Sequence, residues 1–515
     1  MIVKWLTLII YFIVMIGIGL YCRRKASSVS EFVLGGRSLG AWFTAFAYGT
    51  TYFSAVVFIG YSGQFGWNFG ISAVWIGIAN AIIGSMLAWI VLGERTRQMT
   101  KHFNASTMPE FFEKRYNSKG LKTVAAIIVF VFLIPYTASV YNGLSRLFET
   151  AFGIDYSVWI IVMAVLTAIY VILGGYMATA INDFVQGIVM LGGIIAVVVV
   201  ALSSKGGLFS AITQLNDAGV AAGTPGLSTI FGPDPINLIG VAILTSLGTW
   251  GLPQMIHKFY AVKDKASIKR GTVISTVFAL VVSGGCYFLG SFGRLFVTKA
   301  EITPAGGGKL MFDAIIPKLV QTALPDILIG IVIVLVLSAS MSTLASLVLT
   351  SSSTITIDLI QPILKNKLTD RKQVTCIRIF LGIFLLISVL IAINPNTYIS
   401  TLMSISWGAL AGSFLAPFLY GLFSKKITKA AVWASFISGV GITVVHMFLF
   451  SLNLFPDLVK SVTGLGWKFS LLSPINAGAF AMCIGLIIVP VVSAFTKTKD
   501  KERIDEMFTC FSAND

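Results

Sequence analysis

Five hydroxyl side chains fall within nine residues, Ser338, Ser340, Ser342, Thr343 and Ser346, in the stretch SASMSTLAS. The flanking sequence, LPDILIGIVIVLVL before and LVLT after, is apolar. A helix facing lipid has no use for so many oxygens. Ala339, Ser342, Thr343 and Ser346 are spaced so that a helix places them on one face. Two chemistries fit such a stripe. The hydroxyls can bond back to their own helix or join it to a neighbour. Alternatively, hydroxyl oxygens together with freed backbone carbonyls are the hard, neutral ligands that a dehydrated small cation needs. Carbonyls become free where a facing helix is broken. Residues 41–63, AWFTAFAYGTTYFSAVVFIGYSG, carry Gly49-Thr50-Thr51 at mid-depth, so the free carbonyls are expected between Thr50 and Phe53. A hydroxyl face opposite an unwound helix reads as a sodium site, with helix-to-helix glue as the alternative.

Two further features carry chemistry. Asp183, in YMATAINDFVQGIVML, lies close to the start of a long apolar segment. A carboxylate at membrane depth is costly and points to a function. The competing reading is that Asn182-Asp183 caps the helix that begins there. The segment LTSLGTWGLPQMI holds Gly248, Gly251 and Pro253. Pro253 lacks an amide hydrogen and clashes with the preceding turn, so a second break is expected there. Between the two breaks the sequence offers an apolar surface with scattered hydroxyls: Tyr52, Ser54, Val56, Val57, Thr245, Thr249, Trp250 and Leu252. The mid-membrane halves of these two spans, 41–63 and 236–256, contain no Arg or Lys.

The elements that must hold these residues are membrane helices. Of 515 residues, 56% are hydrophobic and 11% charged, against roughly 25% charged in a soluble protein. At about 20 apolar residues per crossing, the chain reads as an all-α polytopic membrane protein of about thirteen spans. Its net charge of +16 is that of basic loops on one face of the membrane, and no nucleic-acid partner follows from it. Basic stretches at 23–25, 94–97, 113–122, 263–270, 365–372, 424–426 and 497–503 fall on one side, whereas 65–70, 203–235 and 394–396 are poor in Lys and Arg. The positive-inside rule then places the N-terminus outside and the C-terminus in the cytoplasm of a cell (inner) membrane. Residues 1–40 form a leading helix and loop, and 41–203 and 236–424 two five-helix blocks. A loop at 204–235 separates the blocks, two more helices follow at 425–496, and 497–515 is a tail. Blocks of five helices entered from opposite sides are inverted repeats, the LeuT-like plan, in which the first helix of each block is broken at the binding site.

These residues resemble the sodium:solute symporter family. The likeness spans essentially the whole chain and rests on FVLGGRSLG (32–40), TTYFSAVVFIGYSG (50–63), LGGYMATAINDFVQGIVM (173–190), WGLPQMIHKFYAVKD (250–264) and SASMSTLASLVLTSSSTITIDL (338–359). It implies co-transported sodium held by the backbone of Thr50, Phe53 and Ala339 and by the side chains of Ser342 and Thr343. Some members of the family bind a second sodium. Asp183, Ser342 and Ser346 match that set, but Ala345 stands where a hydroxyl is expected. The resemblance also implies that spans two and seven line the solute site, with Tyr52, Ser54, Val57, Thr249, Trp250 and Pro253 as candidates. Val56-Val57 and Pro253 replace the Glu-Gln pair and the Asn of sugar symporters, which argues against a sugar. Tyr52, Thr245 and Thr249 replace the Asp, Trp and Tyr of proline symporters. The segments 50–55, 181–190 and 251–254 are most similar to the pantothenate and monocarboxylate branch. The expectation is therefore sodium-coupled import of a small carboxylate-bearing solute, with proline or another amino acid as the alternative.

Other classes fit less well. The sequence contains no HExxH or Walker loop, so an enzyme is not expected. A transporter-like sensor or a passive channel ranks lower, and no obligatory protein partner is expected beside the lipid bilayer, the solute and sodium.

Overall fold

The computed structural model describes residues 2–22, 28–304, 310–364, 368–393, 399–452, 454–464, 468–497 and 500–511. The basic stretch 23–25, the loop 394–396, residues 365–367 and residues 498–499 lie outside the described residues. The described residues are helical throughout, with a single isolated bridge between Leu39 and Val262 and no strand. Ten helices are long and apolar enough to cross a membrane, or eleven counting one bent pair. The expectation of thirteen is not met as thirteen separate helices. Two of the ten, Val56–His102 and Tyr156–Ser203, have 47 and 48 residues. At 1.5 Å per residue each is about 70 Å long, more than twice the roughly 30 Å hydrocarbon core. Each is interrupted at a glycine: Gly70 at φ 61°, ψ −140°, and Gly175 at φ 57°, ψ −153°. Only glycine adopts such angles without strain.

Both expected breaks are present, and their causes can be read residue by residue. The helix Ala41–Tyr52 stops where Phe53 turns extended, at φ −109°, ψ 93°, and helix resumes at Val56. The break therefore lies just after Gly49-Thr50-Thr51, which stay helical. Gly49 serves a different purpose, because a Cβ there would meet the Phe278 ring at 2.3 Å. The second break separates Pro235–Trp250 from Pro253–Ala261, with a 41° bend. Pro253 begins the second half-helix, where a missing amide hydrogen costs nothing.

The two broken helices are joined at the end that carries Arg37 and Lys263. Lys263 N donates to Leu39 O at 3.0 Å, and Leu39 N to Ala261 O at 3.3 Å. The Arg37 guanidinium donates to Tyr260 O (3.0 Å) and Ala105 O (2.6 Å). Arg37 holds φ 55°, an unusual angle for a residue with a side chain, and these bonds fix it. The segment before the first broken helix and the segment after the second thus form one unit.

Small residues let the helices approach closely. A Cβ on Gly66 would lie 2.0 Å from the Gly290 carbonyl carbon, and one on Gly290 would lie 2.1 Å from the Ser62 carbonyl oxygen. Gly66→Val is therefore expected to push these helices apart, at a cost of about 1–3 kcal/mol or more. Thermal melting of the detergent-solubilised protein checks this. The variant should melt earlier, while Gly441→Ala, with nothing within 4 Å of the added carbon, should match wild type. Equal melting of the Gly66 variant would contradict the close approach.

Candidate ion and solute site

The hydroxyl stripe lies on the helix Asp326–Thr354, and every residue from Ser338 to Ser346 is buried. Pro325 precedes this helix and Asp326 occupies its first turn, where a carboxylate complements the exposed amides. The helix packs against Ala41–Tyr52, Lys119–Phe152 and Tyr156–Ser203. Its hydroxyls divide into two groups. Ser340 bonds back to Val336 O at 2.7 Å, as an ordinary membrane serine does. Ser342 and Thr343 instead reach the end of the first broken helix. Ser342 Oγ donates to Thr50 Oγ1 at 2.7 Å, and Thr50 Oγ1 donates to Phe46 O at 2.8 Å. Thr343 Oγ1 lies 3.0 Å from Ala339 O, 3.2 Å from Thr51 O and 3.3 Å from Thr50 O. Thr50, Ala339, Ser342 and Thr343 thus converge, and Phe53 sits at the break itself. The cluster consists of neutral oxygens, from backbone and hydroxyl alike, drawn from two different helices.

Asp183 is not a cap. The helix resumes at Tyr176 after Gly175 and continues through residue 183. The Asp183 side chain is 1% exposed, and its Oδ2 lies 3.8 Å from Lys258 Nζ, itself 1% exposed. Lys258 Nζ also donates to Ser346 Oγ at 2.9 Å, and Ser346 Oγ lies 2.9 Å from Thr51 Oγ1. The Tyr176 ring covers the ammonium at 5.2 Å. The mid-membrane halves of 41–63 and 236–256 contain no Arg or Lys, but the second broken helix brings this cation in two residues beyond that span. Lys258 lies on the half-helix Pro253–Ala261, buried along its whole length, whereas the basic stretch read from the sequence begins only at Lys263. A charge so soon after a helix-breaking proline was the available signal.

The candidate solute residues lie at the two breaks, and in this conformation several of them hold the scaffold. Tyr52 OH donates to Thr245 O at 2.6 Å, Thr249 Oγ1 to Gly84 O at 3.0 Å, and Trp250 Nε1 to Ile83 O at 3.0 Å. Thr245 Oγ1 donates to Asn80 Oδ1 at 2.8 Å. Asn80 was not singled out by sequence, because a lone amide in an apolar helix looks like any packing residue. Ser54 Oγ accepts from Val56 N at 3.2 Å where the helix resumes. Val57 and Pro253 are buried beside these groups. An aromatic wall flanks the first break: Phe53 stacks on Tyr52 at 4.2 Å, and Trp407 lies 6.3 Å from Tyr52 and 5.9 Å from Tyr136.

The model of the sodium:solute symporter family matches residues 32–439. The chain is 30% identical over 440 residues to the osmoregulated proline transporter OpuE of Bacillus subtilis, covering 85% of this chain and 87% of that protein. It is 31% identical over 454 residues to a sodium/proline symporter of Staphylococcus aureus, covering 86% of each. Among solved structures, a substrate-bound, outward-open Na+-coupled sialic acid symporter superposes with a TM-score of 0.73 at 17% identity, over 96% of this chain and 99% of that one. The transporter Mhp1 superposes with a TM-score of 0.54 at 12% identity, over 94% and 99%. Likeness at these identities establishes the fold, which is LeuT-like.

Proposed function

Since the chain belongs to the sodium:solute symporter family, we propose that it uses the inward sodium gradient to import L-proline or a closely similar small amino acid. Sodium-coupled transport follows from the family; the solute is the proposal. The observation that carries it is that relatives matching over 85–86% of this chain are named for proline. This favours the amino-acid alternative over an amine-free carboxylate.

The chemistry of the site is compatible with a zwitterion. The end of a half-helix offers amides to a carboxylate. The faces of Tyr52, Phe53, Trp407 and Tyr136 suit an ammonium through cation–π attraction, and their apolar area suits a compact ring. Asp183 and Lys258 pair with each other, so they leave no net charge beside the site. Sodium would be held by the Thr50, Phe53 and Ala339 carbonyls and the Ser342 and Thr343 hydroxyls. Such an ion ties the first broken helix to Asp326–Thr354, and in alternating access one group of helices rocks against another around that point. With the Arg- and Lys-rich end inside, the Arg37 clamp lies on the cytoplasmic side. The substitution of Tyr52, Thr245 and Thr249 for the Asp, Trp and Tyr expected of proline symporters supports a second reading, a monocarboxylate without an amine.

A competition panel in vesicles with an imposed inward sodium gradient separates the two. L-proline should accumulate, and pantothenate, a short organic acid and galactose should not displace it. Uptake of the acids with no movement of or competition by proline would install the second reading. Uptake of galactose alone would overturn both.

A further inference from the structure

We propose that the Lys- and Arg-rich end of the molecule holds a binding site for the phosphate headgroup of an anionic phospholipid. It lies between the tail helix Lys501–Phe508 and the ends of the helices Ile399–Phe423 and Pro474–Phe495. It shares no residue with the two breaks.

Charge is the first observation. A cavity of about 640 Å³ is lined there by Lys425, Lys426, Lys497 and Lys501, with Asp505 as its one carboxylate. Asp505 pairs with Lys425 at 2.5 Å. Among the described residues, no carboxylate pairs with the other three ammoniums. Like charges around one hollow repel each other, and a phosphate among them turns that repulsion into charge-assisted hydrogen bonds. Thr496 and Lys497 also line a second hollow of about 450 Å³, together with Arg115, Lys429 and Arg503. Positive charge is thus gathered on both sides of Lys497. An apolar track is the second observation. Ile487, Val491 and Phe495 recur every four residues, so they share one face of Pro474–Phe495. They are 60%, 47% and 86% exposed. This stripe runs along the membrane span and stops beside Thr496 and Lys497 in the cavity wall. An acyl chain lying on the stripe therefore brings its headgroup to the lysines. A soluble anion would use the charges but not the stripe, so the two features together select a lipid. The positive-inside orientation, on which this rests, turns the cavity toward the leaflet that carries anionic lipids. The cavity is also preformed. The Arg95 guanidinium stands over the rings of Phe423 (4.2 Å) and Phe511 (4.6 Å), and that of Arg115 over Phe508 at 5.2 Å. These contacts hold the tail helix, and Lys501 with it, against the body of the protein.

The test titrates the purified full chain, in a neutral detergent without added solute, with dioctanoyl phosphatidylglycerol. Native mass spectrometry reads the bound lipid and thermal melting reads the stabilisation. Wild type should bind this lipid and melt higher with it, and dioctanoyl phosphatidylcholine should do neither. Lys497→Gln with Lys501→Gln should weaken phosphatidylglycerol binding at least tenfold. Lys101→Gln with Lys269→Gln removes the same charge from another hollow of that end, where Lys265 already pairs with Glu94 at 2.5 Å. That variant should bind the lipid as wild type does. Equal weakening in both double variants would overturn the proposal, because net charge alone would then draw the lipid. Unchanged binding in the Lys497 and Lys501 variant would overturn it as well. Glycerol phosphate separates the two sources of the headgroup chemistry: it should not displace the lipid at matched concentration. Displacement by it would overturn the lipid assignment in favour of a soluble phosphate.

Discussion

Thr343→Ala should raise the sodium concentration for half-maximal uptake at least tenfold while the protein still reaches the membrane. The Thr343 hydroxyl lies within 3.0–3.3 Å of three backbone carbonyls, on Ala339, Thr50 and Thr51. It therefore sits at the seam between the hydroxyl helix and the first broken helix. A buried contact to a charged partner is worth about 1.5–3 kcal/mol, or roughly ten- to a hundredfold in affinity. Ser342→Ala should act alike, since its hydroxyl reaches Thr50 across the same seam. Ser340→Ala is the internal control: that hydroxyl bonds only to Val336 O of its own helix, and its loss should leave sodium dependence unchanged. Sodium titrations of uptake in membrane vesicles measure all three. No shift in either the Thr343 or the Ser342 variant would mean that the stripe joins helices and does not bind the ion.

The second large effect belongs to Asp183→Asn. If Asp183 were a helix cap, Asn would serve equally well. It is instead the carboxylate beside the buried Lys258 ammonium. Removing one member of a buried pair costs about 3–5 kcal/mol, because the other charge is left uncompensated. The single variant should therefore lose most uptake and melt well below wild type. Asp183→Asn combined with Lys258→Met removes both charges and should recover much of the melting temperature, although not the electrostatic link between helices. Near-normal uptake by the single variant, or no recovery in the double, would contradict the pairing. The comparison needs melting curves and uptake on the same three proteins.

The sequence was most informative where chemistry and apolar context conflict. Hydroxyls in an oily helix, a carboxylate in another and a proline in a third each mark something that plain membrane packing does not need, and all three lie around the two breaks. It was less informative where glycine has two roles. Gly49 looks like the helix breaker but admits the Phe278 ring, and the chain turns extended four residues later, at Phe53. Gly70 and Gly175 interrupt long helices without an intervening loop, so spans counted by hydropathy and helices counted by continuity disagree. Lys258 escaped notice because its burial is tertiary. Its place five residues after Pro253 is the one local hint, and the packing of Pro253–Ala261 against Ala41–Tyr52 and the hydroxyl helix is what makes it an interior charge. The solute was the hardest to read, because Tyr52, Thr249 and Trp250 are engaged with neighbouring backbone, and their residue types record scaffold contacts as much as recognition.

The central claim is that a sodium ion held between the first broken helix and the hydroxyl helix drives the solute. Purified protein in proteoliposomes tests it most directly, with labelled L-proline outside and an inward sodium gradient imposed at zero membrane potential. Wild type should concentrate proline above the outside level, and an ionophore that collapses the sodium gradient should release it. Thr343→Ala should concentrate it only when sodium is raised at least tenfold. Accumulation that survives collapse of the gradient, or equal sodium dependence in wild type and Thr343→Ala, would contradict the account.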